Sequence, residues 1–102
     1  MQTTLTKPGT EVFLACGHLN ASNASQLQNQ LTELMTAPWC DGLVVDMSHV
    51  ESLDSAGLMV LVAVLSLAQR LDKCFSLRAV SASIRIIFEL TQLDRVFEIA
   101  VA

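Results

Sequence analysis

The chain has 102 residues, 52% apolar and 16% charged, with a mean hydropathy of +0.49. That length suits one domain with a real core, and the scarcity of charge excludes an intrinsically disordered chain. Ten acidic against six basic residues leave a net charge of −4; the bases form no stripe, which argues against direct binding to nucleic acid.

The first residues, Met1 to Pro8, lack the basic start and apolar stretch of a signal peptide, so a cytoplasmic protein is expected. Gln2 to Thr6 (QTTLT) reads as an edge strand. After Lys7-Pro8-Gly9, Thr10 to Leu19 alternates Val12, Leu14 and Cys16 with Phe13 and Ala15, the pattern of a second strand. Gly17 lets the backbone turn near its end. Asn20 to Asn23 supplies N-cap residues for an amphipathic helix whose stripe is Leu27, Leu31, Leu34 and Met35, with Gln26, Gln28, Asn29, Gln30 and Glu33 facing water. Ala37-Pro38 ends it.

Gly42 to Met47 is a short apolar run expected as a central strand buried on both faces, and Ser48 to Leu53 as an irregular connector. Leu58 to Leu71 is a helix apolar on nearly every side, which calls for burial between other elements. Its most apolar part, Ala56 to Ala68, is about 20 Å long as a helix. A bilayer requires about 20 apolar residues, so no membrane insertion is expected. Lys73 to Val80 reads as a strand. Ser81 caps a helix with Ile84, Ile87, Phe88 and Thr91 on one face and Arg85 and Glu89 opposite. Val96 to Ala100 is a last short strand. The order β-β-α-β-α-β-α-β predicts an α/β domain over 1–102, a mixed β-sheet of four to five strands packed with three to four helices.

Chemistry-bearing patterns are scarce. Phosphate-binding glycine loops, nucleophile elbows and HExxH are absent. Cys16, Cys40 and Cys74 have no CxxC spacing, which predicts reduced thiols. Together with His18 and His49 they offer no ligand spacing for a metal, and no cofactor is expected. Each histidine is expected exposed or locally hydrogen-bonded rather than catalytic.

The informative stretch is Asp54-Ser55-Ala56-Gly57, where a loop enters the apolar helix. One reading makes Asp54 or Ser55 an N-cap that satisfies free backbone N–H groups. The other makes Ser55 a phosphoacceptor, since a helix N-terminus tolerates phosphate and the added charge would fall on a surface a partner covers. Gly57 is expected to keep the first turn open to an approaching partner.

Three blocks in register settle on a family. Gly17-His18-Leu19-Asn20 resembles G-x-L-D at the end of a strand, and Leu43 to Leu58 resembles a strand, connector and D-S-x-G-L core. Ile84 to Leu90 with Leu93-Asp94-Arg95-Val96-Phe97 resembles the third helix and its L-D-x-x-F/I ending. The chain thus resembles a STAS domain, the family of bacterial anti-sigma factor antagonists that also occurs on sulfate transporters.

The resemblance implies partner switching rather than catalysis. An anti-sigma factor and serine kinase of the GHKL ATPase type phosphorylates the antagonist at the position of Ser55. The unphosphorylated antagonist binds that factor and frees a sigma factor, and a metal-dependent serine phosphatase restores binding. The expected contact surface comprises Asn20, Ser22, Asp54, Ala56, Gly57, Leu58 and Met59. The alternative is a non-catalytic STAS subunit of a bacterial ABC-type lipid transporter, where D-[ST]-A-G also occurs. Asn20 replaces the family's acid, Ala56 replaces a second hydroxyl residue, and the family's C-terminal helix is expected to be absent or very short. A surface left bare by that helix could serve a homodimer.

Overall fold

The structure is a computed structural model and describes residues 9–100. Seven main elements alternate: β1 (Thr10–Leu19), α1 (Ala24–Thr36), β2 (Gly42–Leu53), α2 (Ser55–Arg70), β3 (Cys74–Arg78), α3 (Ala82–Leu90) and β4 (Glu98–Ala100). A 3-10 turn at Leu93–Arg95 precedes β4. The described strands form one parallel sheet in the order β1-β2-β3-β4. The α/β class agrees with the sequence; the QTTLT segment lies outside the described residues.

Each crossover moves one strand along in the same direction, so right-handed connections place all three helices on one face. Their buried residues, among them Leu27, Leu31 and Met35 of α1, Leu61 and Val64 of α2, and Ile84 and Phe88 of α3, share one core with Ala15, Leu43, Val45, Met47, Phe75 and Leu77 of the sheet. Phe97 closes the core's far end, packing edge-on against Phe88 at 5.4 Å between ring centroids and tilted against Phe75 at 6.1 Å.

Among the described residues no helix covers the other face of the sheet. It carries Val12 and Leu14, which are 38% and 51% exposed, together with half-buried Val44 and Asp46. The expectation that β2 is buried on both faces is therefore corrected. An apolar run can mark a strand without showing how many of its faces are covered.

A second correction concerns Ser48 to Leu53, which is strand and not connector. Between Leu14 and Cys16, and again between Gly17 and His18, β2 inserts one extra residue opposite β1. These two bulges shift the inward positions from a period of two to Met47, Val50 and Leu53, each separated by two exposed residues. Gly17 has φ +76° at the second bulge, a conformation that L side chains rarely adopt.

Smaller differences follow from local geometry. β3 stops at Arg78 because Ala79 turns left-handed at φ 57°. Thr91 is exposed and returns its hydroxyl to the Ile87 carbonyl at 2.8 Å. Ile86, 51% exposed, adds an apolar residue to the outer face of α3.

Candidate functional site

In a parallel sheet all strands end on one side, and there the helices begin. Leu19, Leu53 and Arg78 close their strands on this rim, and α1, α2 and α3 start from it. Asp54 joins two of these endings. Its N–H donates to the Leu19 carbonyl at 3.0 Å. Its side chain accepts the Gly57 N–H at 3.1 Å, so Asp54 is the N-cap of α2.

With that cap supplied by its neighbour, Ser55 is free of the role. It is the first residue of α2 and is exposed, and its hydroxyl makes no hydrogen bond to another described residue. Of the two readings of the sequence, the cap belongs to Asp54. A phosphoryl group on Ser55 would sit at the positive end of a 16-residue helix.

Asn20 follows directly on Leu19 and so borders Asp54. Its side chain accepts the Ser22 N–H at 2.9 Å, and its own N–H donates to Asn23 Oδ1 at 3.0 Å. Asn23 Nδ2 donates to the His18 carbonyl at 2.7 Å. Asn23 is the N-cap of α1 by position, but its side chain makes no capping hydrogen bond. That corrects the expected role: Asn23 ties the turn to β1 instead of closing the helix.

The other expected contact residues divide by exposure. Ser22 and Met59 are exposed, Met59 at 61%. Ala56 is half-buried, and Leu58 packs partly against the core. Gly57 is buried, and a Cβ there would lie 2.6 Å from the Leu19 carbonyl oxygen. Its missing side chain lets α2 seat on the end of β1, not a partner reach the backbone.

A further rim cluster has no signature in the sequence. His18 Nδ1 lies 2.6 Å from Ser52 Oγ, and His18 Nε2 is 4.0 Å from Glu51 Oε1. The bulge after Gly17 brings Ser52 opposite His18, and no sequence spacing announces such a register. His49 instead contacts its neighbour Ser48, Nδ1 to Oγ at 3.0 Å. The described residues contain no group of three or more His, Cys, Asp or Glu side chains placed to hold a metal. None of their helices is long and apolar enough to cross a membrane.

Residues 5–100 match the family model described as "Mlab, STAS domain". An anti-sigma factor antagonist from Mycobacterium paratuberculosis is 26% identical, with a TM-score of 0.81 over 92% of this chain and 79% of that one. The anti-sigma factor antagonist SpoIIAA in its unphosphorylated form is 15% identical, with a TM-score of 0.80 over 99% of this chain and 86% of that one. A sulfate transporter family protein from Wolinella succinogenes is also 15% identical, with a TM-score of 0.77 over 91% and 75%. At 15% identity these last two likenesses concern the fold.

Proposed function

Because the chain belongs to the STAS domain family, we propose that it is an anti-sigma factor antagonist switched at Ser55. Unphosphorylated, it binds an anti-sigma factor of the GHKL ATPase type in the cytoplasm and frees a sigma factor. ATP-dependent phosphorylation of Ser55 by that partner ends the binding, and a metal-dependent serine phosphatase restores it. Both chemistries belong to the partners; this chain is substrate and binding module.

The observation that carries the reading is the division of labour between Asp54 and Ser55. Asp54 holds the helix end, which leaves an exposed, unengaged hydroxyl at the first position of α2. Asn20, Ser22 and Met59, which the reading assigns to the contact surface, are exposed or half-buried. Phosphate would add about −1.5 to −2 charge beside Asp54. A partner fitted to the neutral serine would meet repulsion and a desolvation cost.

The match to the "Mlab, STAS domain" model, together with Asp54-Ser55-Ala56-Gly57, favours a second reading. In it the same rim grips the ATPase subunit of an ABC-type lipid transporter and Ser55 stays unmodified. Affinity capture from the native host's lysate with wild type and Ser55→Glu, read by mass spectrometry, separates the two. A GHKL-type ATPase held by wild type and lost from Ser55→Glu supports the antagonist. A transporter ATPase held by the wild-type chain moves the assignment to lipid transport.

A further inference from the structure

His18 sits at the joint between the two segments that form the rim. Its ring reaches Ser52, three residues before Ser55, with Nδ1 2.6 Å from Ser52 Oγ. Its backbone carbonyl accepts the Asn23 side-chain N–H, and Asn23 in turn fixes the Asn20 N–H. One residue thereby ties the Asn20–Asn23 turn to the stretch that leads into α2.

Imidazole is the side chain that ordinarily changes charge between about pH 5 and about pH 8. A neutral ring presents one N–H and one lone pair, so Ser52 can donate to Nδ1 or accept from it. A protonated ring presents two N–H groups. Ser52 must then accept, and the second N–H is drawn toward Glu51, whose carboxylate lies 4.0 Å from Nε2. The charge nearest the ring is Glu51 on β2; Asp54, at the start of α2, is turned to the Gly57 N–H. Nearby on the same strands are Cys16 and His49, which oppose each other in the ladder; His49 is engaged by Ser48.

We infer that His18 is a proton-operated positioning residue: its protonation reverses the Ser52 hydroxyl, adds positive charge beside Glu51, and resets the Asn20–Asn23 turn and the Glu51–Ser55 segment together. Presentation of Ser55 to its partner then depends on pH. The functional consequence rests on the reading of Ser55 as the centre of the partner surface; the coupling itself does not.

The coupling is tested on the isolated full chain, labelled with nitrogen-15 and titrated by NMR over that pH range. In wild type the amide signals of Asn20, Asn23, Ser52 and Ser55 move through one transition shared with the His18 ring. In His18→Gln, which keeps a hydrogen-bonding group, that common transition is lost, whereas His49→Gln leaves it in place. Ser52→Ala, a second route should His18→Gln not fold, shrinks the movement at Ser55. Amides of Asn20 and Ser55 that stay still while the His18 ring titrates overturn the inference, as does a transition that survives His18→Gln. No partner is involved, so failure to capture an ATPase would count against the binding reading alone.

Discussion

The carbonyl oxygen of Leu19 fills the space that a side chain at Gly57 would need, 2.6 Å from the position of its Cβ. The same carbonyl accepts the Asp54 N–H at 3.0 Å, so one backbone atom of β1 fixes both the entry and the first turn of α2. In an ordinary helix, alanine is favoured over glycine by about 1 kcal/mol. Here the added methyl meets backbone, which cannot step aside as a flexible side chain would. Gly57→Ala is expected to destabilise the chain by about 2 kcal/mol, in the range of overpacked cores. Urea denaturation reads this as a lower midpoint; an unchanged or higher one would show that α2 has room to move.

Asp54 and Ser55 are neighbours with opposite expected sensitivities. Asp54→Ala removes the acceptor of the Gly57 N–H and is expected to cost about 1 kcal/mol. Ser55→Glu breaks no hydrogen bond to a described residue and places negative charge at a helix N-terminus. Its stability is expected to stay within about 0.5 kcal/mol of wild type. Thermal unfolding of both variants by circular dichroism decides the matter. A Tm for Ser55→Glu as low as that of Asp54→Ala would make Ser55 a structural residue.

This division bears on what the sequence could reveal. Apolar period and helix signals placed α1 and α2 well, because a stripe such as Leu27, Leu31 and Met35 follows from burying one helix face. The Asp54-Ser55-Ala56-Gly57 block was legible as a helix entry, yet which residue caps it depends on a hydrogen bond. The second half of β2 was not legible, since two bulges replace strict alternation with Met47, Val50 and Leu53. The pairing of His18 with Ser52 is a product of that same register. Nor does an apolar run disclose that, among the described residues, no helix covers one face of the sheet, because Val44 fits either environment.

Asp46 anchors the first bulge from the sheet face opposite the helices. One carboxylate oxygen accepts the Ser48 N–H at 2.9 Å and the other the Arg78 Nε–H at 3.0 Å. Burial by itself would raise the carboxyl's pKa, but the hydrogen bonds of Ser48 and Arg78 and the arginine's charge outweigh it, leaving it below the ordinary 3.8. A depressed folded value means that this contribution to stability is complete above the unfolded value. It is lost as pH falls from there through the folded value. Asp46→Asn is therefore expected to lose stability at neutral pH and to narrow its deficit against wild type as pH drops below about 4. Denaturation midpoints at pH 7 and pH 3 check this, and a deficit equal at both would remove the charge from the explanation.

At the opposite end of the molecule, Lys73 closes α1 from outside that helix. The last turn of α1 carries no basic residue. Lys73 Nζ instead donates to the Met35 carbonyl at 2.7 Å and the Ala37 carbonyl at 3.1 Å. The turn that delivers it has Asp72 at φ 58° and the Lys73 N–H on the Ala68 carbonyl at 2.9 Å. A cation at a helix C-terminus both satisfies free carbonyls and opposes the helix dipole. Lys73→Met keeps much of the apolar stem and is expected to cost about 1 to 2 kcal/mol. Hydrogen exchange should report the loss first at the C-terminal turn of α1. The rim around Ser55 lies at the other ends of the strands, so partner capture by this variant is expected to match wild type at temperatures where both are folded. Capture that falls with Lys73→Met under those conditions would mean that the partner surface extends far beyond the rim.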